Sequence, residues 1–504
     1  MSGRLFDALR ARPADAPVLC GNDQTWRAGA LRVAIDELAG RLAGSRTLAV
    51  LADNGPDWVI ADLAALRAGV VHVPLPAFFS ADQLRHALDR SGADLVLTDQ
   101  PERIDRLAAG FCIDGKWNDL ILMRRRATPA MLPDGTAKIS FTSGSTGQPK
   151  GACLAADGLI DTAAAVARRL ADLPIARHLA VLPLALLLEN SAGLYAPLLR
   201  GAEIHLPGLA ALGWQGMAGF DPGALQRCVA TRRPNSAILV PELLKAWSMY
   251  LAASGQRAPD SLAYVAVGGA RVAPEALRRA RALGLPAYQG YGLTECGSVV
   301  SLNRPGDDGD DVGRPLDHVA LRVDDGEIVV AARAFLGYLG GDDPSPVTLA
   351  AAGGAARNFP TGDLGRIDAD GHVRLSGRRN NLLITSFGRN VAPEWVEAAL
   401  LAQPAIAQAV VSGDARPWLA AVLVPAPGAG EAQLAAAVAA ANATLPDYAR
   451  IGSWLAGEPF SPANGQATGN GRPRRAAILE RHAAALAALY PESFPAEEPV
   501  HAVL

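Results

Sequence analysis

Short apolar runs alternate with helical patterns through the first half of the chain. RTLAVLAD at 46–53, GVVHVPL at 69–75 and ADLVLTD at 93–99 read as strands. Alternation of that kind predicts an α/β protein with parallel sheets covered by helices on both faces. HLAVLPL at 178–184, NSAILVP at 235–241 and LAYVAVGG at 262–269 extend the series. Each closes at Pro or Gly, where a loop at the carboxyl edge of a sheet can carry chemistry.

The period then changes. HVALRVDDGEIVV at 318–330 predicts a hairpin turned at Asp325-Gly326, and LGRIDADGHVRLSGR at 364–378 a second one turned at Asp370-Gly371. Further on, LLITSF at 382–387 is expected as a strand, APEWVEAALLAQ at 392–403 as a helix started behind Pro393, and IAQAVVSG (406–413) and WLAAVLVP (418–425) as two more strands. Alanine-rich 432–443 predicts helix, and 461–475, rich in Gly, Asn and Pro, predicts loop. No internal repeat interrupts this order.

Composition narrows the classes. At 504 residues the chain exceeds what one core usually organises, so at least two domains are expected. Half of the residues are hydrophobic, 19% are charged and the net charge is −3, so nucleic acid is not an expected partner. The five cysteines form no C-x-x-C pair, which argues against both a zinc site and a disulfide framework. The N-terminus MSGRLFDALRARPAD has no apolar signal core, and Asp7 and Asp15 argue against a transit peptide. The apolar stretch 178–199 is interrupted by Pro183, Glu189 and Asn190, so a buried segment is expected there and no membrane span. These features predict a cytoplasmic protein without integral membrane association.

The densest chemistry lies at 140–152, SFTSGSTGQPKGA. Thr142, Ser143, Ser145 and Thr146 offer hydroxyl donors, Gly144 and Gly147 let backbone N–H groups approach an anion, and Lys150 adds a mobile positive charge. Ile139 to Phe141 read as a short strand launching the loop. The spacing is not that of a Walker A loop, because Pro149 precedes Lys150 and Gly151 follows it. Taken alone, the segment also fits a flexible serine-glycine linker.

Together with four later motifs, this loop resembles the phosphate loop of the adenylate-forming enzymes, the superfamily of acyl-CoA synthetases, peptide-synthetase adenylation domains and luciferases. The later motifs are VGGARVAPEAL at 267–277, YGLTECG at 291–297, PTGDLGRID at 360–368 and SGRRNNLLITSFGRNVAPEWVE at 376–397, in the order that family requires. The resemblance implies a large N-terminal domain, 1–378, of parallel sheets with a small β-barrel-like region. It also implies a small mobile α+β C-terminal domain, 379–504, with the hinge at Arg379-Asn380.

The same resemblance assigns roles. Lys150 and the loop hydroxyls would hold the β- and γ-phosphates of ATP, Thr294 the α-phosphate, and Glu295 a Mg²⁺ ion. Asp363 would accept hydrogen bonds from the ribose hydroxyls and Arg378 would add a donor from the hinge side. Gly269, Ala270, Tyr291 and Gly292 would wall the acyl and adenine pockets, and Gly388 and Arg389 would face the thiol of CoA.

Two positions depart from the pattern. Leu186 stands where fatty-acyl synthetases commonly carry histidine, although Glu189 keeps the long-chain pattern, and Arg472 follows Asn470-Gly471 where the family has its adenylation lysine. Arginine keeps the charge but replaces a compact ammonium with a larger planar fork. The expectation is thus an ATP- and Mg²⁺-dependent acid–thiol ligase acting on a fatty or similarly apolar acid, with CoA as acceptor. Two alternatives remain open: an acyl-AMP ligase that loads a carrier protein or feeds another condensation, and a non-catalytic nucleotide-binding homologue.

Overall fold

The computed structural model describes residues 3–142, 149–215, 219–341, 356–387, 389–469 and 471–490. The chain divides into two compact units, Met1–Arg379 and Asn380–Leu504.

The first unit is built on two large mixed sheets. One has eight strands, with Thr47–Leu51, Val71–Pro74, Leu95–Thr98 and Thr136–Thr142 forming its parallel centre. Along Thr47–Leu51, Leu48 and Val50 pack into one apolar cluster while Ala49 and Leu51 pack into another. This two-sided burial is why the run is apolar at every position rather than at alternate ones. The other sheet has nine strands, and Tyr264–Val267 divides its side chains in the same way, with Tyr264 in one cluster and Val265 and Val267 in the other.

Both sheets carry antiparallel strands at their edges, which the sequence did not foretell. Thr136–Thr142 and Lys150–Ala155 are joined by only a few residues, too few for a parallel crossover, so they pair antiparallel. The barrel-like region is a four-stranded antiparallel sheet of Ala320–Asp324, Glu327–Ala332, Arg357–Ile367 and Val373–Arg378. Its first hairpin turns at Asp325 (φ 47°) and Gly326 (φ 75°), the left-handed pair that a two-residue hairpin loop demands.

Two expected strands are shorter than the sequence suggests. In 178–184 the strand ends at Leu179; Ala180 N–H still donates to the His205 carbonyl (3.0 Å), but beyond it the Leu182 N–H is taken by the Glu189 carboxylate (3.0 Å) and Pro183 has no N–H to donate. The chain continues into a π-helix, Glu189–Tyr195, in which Glu189 also accepts from His178 Nε2 (3.0 Å).

In 382–387 only Leu383–Ile384 pairs, with Asn390–Val391, and Ile384 and Phe387 stay exposed, so no covered face extends the strand. The rest of the second unit is a three-stranded sheet of Ile406–Ser412, Leu419–Pro425 and Ile451–Ala456, with helices Pro393–Leu401 and Glu431–Asn442 contributing to its core. Among the described residues, no helix is long and apolar enough to cross a membrane.

Candidate functional site

The predicted chemistry converges on the segment that follows strand Ala287–Tyr291. This strand runs parallel to Tyr264–Val267, so the loops carrying Gly269-Ala270 and Tyr291-Gly292 leave the same edge of the sheet. Gly269 has a φ of +91°, a conformation that suits glycine. At Gly292 a Cβ would lie 1.6 Å from the Ser298 carbonyl oxygen, so only glycine fits. A 3-10 turn, Thr294–Cys296, then brings Glu295 within a few residues of Tyr291.

At the first end of this segment the Tyr291 hydroxyl donates to Asp363 Oδ2 (2.7 Å), and Arg378 Nε pairs with Asp363 Oδ1 (2.9 Å). Local geometry explains the T-G-D spelling. Thr361 Oγ1 donates to the Ile328 carbonyl (2.7 Å) and accepts from the Asp363 N–H (3.0 Å), while Gly362 turns at φ +73° with its N–H on Glu327 Oε1 (2.7 Å). Asp363 and Arg378 then face each other as register partners in adjacent strands. Burial, followed by the Asp363 carboxylate, pushes the Tyr291 phenol above its ordinary range, so Tyr291 stays a hydrogen-bond donor.

At the other end Glu295 Oε1 accepts from the Tyr338 hydroxyl (2.6 Å), and the Lys150 ammonium lies 5.7 Å from the Tyr338 ring centroid. Lys150 opens the strand Lys150–Ala155, directly opposite Thr142 in the hairpin, and Thr142 Oγ1 donates to the Lys150 carbonyl (3.4 Å). The two ends of the Ser/Gly loop are thereby fixed side by side. Ser143, Gly144, Ser145, Thr146 and Gly147 lie outside the described residues, as does Gly388. Tyr338, which joins Lys150 to Glu295, was missed by sequence reasoning. It belongs to Phe335–Tyr338, which pairs with Lys150–Ala155, and only that cross-strand register could have pointed to it.

The remaining predicted residues belong to the second unit. The Arg389 N–H donates to Thr385 Oγ1 (3.2 Å). Arg472 is exposed and held in a tight turn, its N–H on Thr468 Oγ1 (3.1 Å), with Gly471 at φ +78°. Of its neighbours, Arg475 is committed elsewhere: it grips both oxygens of Glu397 (2.6 and 2.7 Å) and the Val411 carbonyl (2.7 Å).

An α/β fold whose first unit brings Tyr291 to Asp363 and Arg378, and Glu295 to Tyr338 beside Lys150, fits an adenylate-forming enzyme. The chain belongs to the AMP-binding enzyme family, whose model matches residues 5–337, and the model of the AMP-binding enzyme C-terminal domain matches residues 380–493. Among curated relatives it is 28% identical to a long-chain-fatty-acid–CoA ligase, FadD15, of Mycobacterium bovis, over 78% of this chain and 75% of that one. It is also 28% identical to a 2-succinylbenzoate–CoA ligase of Bacillus velezensis, over 73% and 75%. Among solved structures, the anthranilate CoA ligase AuaEII in complex with anthranoyl-AMP superimposes with a TM-score of 0.78 at 19% identity, covering 97% of this chain and 98% of that one.

Proposed function

We propose that this enzyme is an acid–thiol ligase that uses ATP and Mg²⁺ to convert an apolar carboxylic acid into acyl-AMP and then passes the acyl group to CoA. The observation that carries the reading is the five-residue stretch from Tyr291 to Glu295, which links the Asp363 carboxylate at one end to the Glu295–Tyr338–Lys150 chain at the other. The relatives named for long-chain-fatty-acid and succinylbenzoate CoA ligation support the reaction class and leave the acid open.

A carboxylate is a poor electrophile because its leaving group would be oxide. Joining it to AMP supplies a leaving group, at the cost of charge that builds on the α-phosphate and the departing pyrophosphate. Lys150, Thr142 and the 143–147 loop would neutralise the pyrophosphate, a preorganised electrostatic contribution. Thr294 would donate to the α-phosphate. Glu295 offers hard carboxylate oxygens oriented by Tyr338, which fits Mg²⁺, and the ion when bound would neutralise phosphate charge.

Asp363 would accept from the ribose hydroxyls, with Arg378 beside it, and Gly269, Ala270, Tyr291 and Gly292 would line the base and acyl pockets. Arg472 would take the adenylation role, and Gly388 and Arg389 would meet the thiol. The five free cysteines fit a reducing cytoplasm.

The test is acid-dependent ATP–pyrophosphate exchange over a panel of fatty, aromatic and short-chain acids, followed by thioester formation with free CoA or a phosphopantetheinylated carrier protein. Exchange with at least one acid and turnover with CoA are expected. ATP binding without exchange for any acid would overturn the reading.

A further inference from the structure

Strands Pro17–Cys20 and Glu203–His205 are parallel neighbours in the nine-stranded sheet, with Cys20 directly opposite His205. Glu203 precedes His205 by two residues, so both side chains project from the same face of their strand. One sulfur, one imidazole nitrogen and one carboxylate oxygen thus come together, all within 4.8 Å of one another. His205 Nε2 and Glu203 Oε2 are 3.6 Å apart, too far for a hydrogen bond. That separation is close to the edge of ~3.4 Å between two ligands held at ~2.1 Å on a tetrahedral ion.

A second observation is independent of this spacing. Both ring nitrogens of His205 are buried and neither makes a hydrogen bond, an arrangement that protein interiors rarely leave uncompensated.

We propose that Cys20, Glu203 and His205 form a binding site for a thiophilic divalent cation of the Zn²⁺ type, separate from the adenylation machinery. Binding forms metal–sulfur, metal–nitrogen and metal–oxygen bonds and releases the Cys20 thiol proton to solvent. Thiolate and carboxylate then balance the two positive charges of the ion. Arg12 and Arg232 are anchored to backbone carbonyls beside these strands: Arg12 to Ala202 (2.8 Å) and Pro17 (2.6 Å), Arg232 to Gly21 (3.0 Å). The donor set of one sulfur, one nitrogen and one oxygen is too poor in oxygen for Mg²⁺ or Ca²⁺ and suits an ion that bonds to sulfur. Three protein ligands leave the fourth position to water.

The test is titration of the full-length, chelator-stripped protein with Co²⁺ and then Zn²⁺. One equivalent of Co²⁺ should give a thiolate-to-cobalt charge-transfer band that Zn²⁺ abolishes. Cys20→Ser should remove the band, and Glu203→Gln should weaken Co²⁺ binding at least ~10-fold, with acid-dependent pyrophosphate exchange unchanged in both. On the wild-type protein, Zn²⁺ should protect Cys20 from alkylation, read by peptide mass, a measurement that needs no variant to fold. Absence of the band, its persistence in Cys20→Ser, or alkylation of Cys20 at the same rate with and without Zn²⁺ would overturn the proposal.

Discussion

Two places in the first unit combine an aspartate, a tyrosine and a cation, and they differ in almost everything else. Where the strands carry the motifs, Asp363 binds Tyr291 and Arg378, and the Arg378 side chain is 59% exposed. In the interior, Asp62 Oδ2 accepts from the Tyr195 hydroxyl (2.6 Å) and Asn190 Nδ2 (3.2 Å), while Oδ1 binds Lys138 Nζ (2.7 Å) and His72 Nδ1, and the Lys138 side chain is 3% exposed. Burial alone would push the Asp62 carboxyl up, but Lys138 and then His72 outweigh it and hold it below the usual carboxylate range. Asp363 is itself buried, but its partner Arg378 opens to solvent and can be traded for a ligand. Asp62 has no such partner and can only hold the fold, because water cannot replace any partner it loses.

The largest effect should therefore appear far from the predicted chemistry. Asp62→Ala leaves the Lys138 charge buried and uncompensated, and should cost about 3–5 kcal/mol of stability in urea unfolding. The pH dependence has a definite sign. A carboxylate whose folded pKa lies below its unfolded value of about 3.9 contributes stability above that pH and loses it as pH falls toward the lower value. Wild-type stability should then fall below about pH 4, and that of Asp62→Asn should fall less. Equal unfolding midpoints for wild type and Asp62→Ala would erase the distinction between the two sites.

Next come the charges meant for the nucleotide. Lys150→Ala or Glu295→Gln should lower pyrophosphate exchange by roughly a hundred- to thousandfold, about 2.7–4 kcal/mol, with little change in the urea midpoint. Exchange within a factor of two of wild type for either variant would remove that residue from the mechanism. Arg472→Ala should lose exchange yet still convert a supplied acyl-adenylate to thioester, and Arg472→Lys should keep or raise activity. If Arg472→Ala exchanges normally, Arg474 becomes the candidate, since Arg475 is held by Glu397.

Asp363→Ala sharpens the contrast directly. It should weaken ATP by roughly 10- to 150-fold, the worth of about 1.5–3 kcal/mol in hydrogen bonds to a charged group, while costing about 1–3 kcal/mol of stability because the Tyr291 hydroxyl loses its acceptor. Loss of stability equal to that of Asp62→Ala would show that Asp363, too, serves the fold first.

The same contrast explains what the sequence disclosed. Glu295 and Lys150 sit in compact motifs where loops at strand ends combine special backbone geometry with chemistry, as Gly292 shows, and Asp363 sits mid-strand directly after the turn at Gly362. Strands such as Thr47–Leu51 were legible from continuous apolar runs, and the Asp325-Gly326 turn from its φ demands. Asp62, His72, Lys138, Asn190 and Tyr195 are scattered over more than a hundred positions, and their meeting depends on tertiary packing that no local pattern encodes. The overlong strand expected at 178–184 failed for a local reason: a nearby polar residue, Glu189, captured the Leu182 N–H. Antiparallel sheet edges likewise follow from connection length rather than from periodicity.

Tyr338 lies between the two extremes, and its variant should give the smallest effect. Its hydroxyl touches a motif carboxylate, yet its own segment carries no motif. Tyr338→Phe keeps the ring beneath Lys150 and removes the hydrogen bond to Glu295, a partly exposed contact worth about 1 kcal/mol. Exchange should fall roughly fivefold. If the hydroxyl orients Glu295 toward Mg²⁺, the loss should be greatest at low Mg²⁺ and shrink as Mg²⁺ rises, because mass action restores an ion that a misaligned carboxylate holds less tightly. A purely packing role would lower activity equally at every Mg²⁺ concentration, or leave it unchanged, and either result would detach Tyr338 from the site.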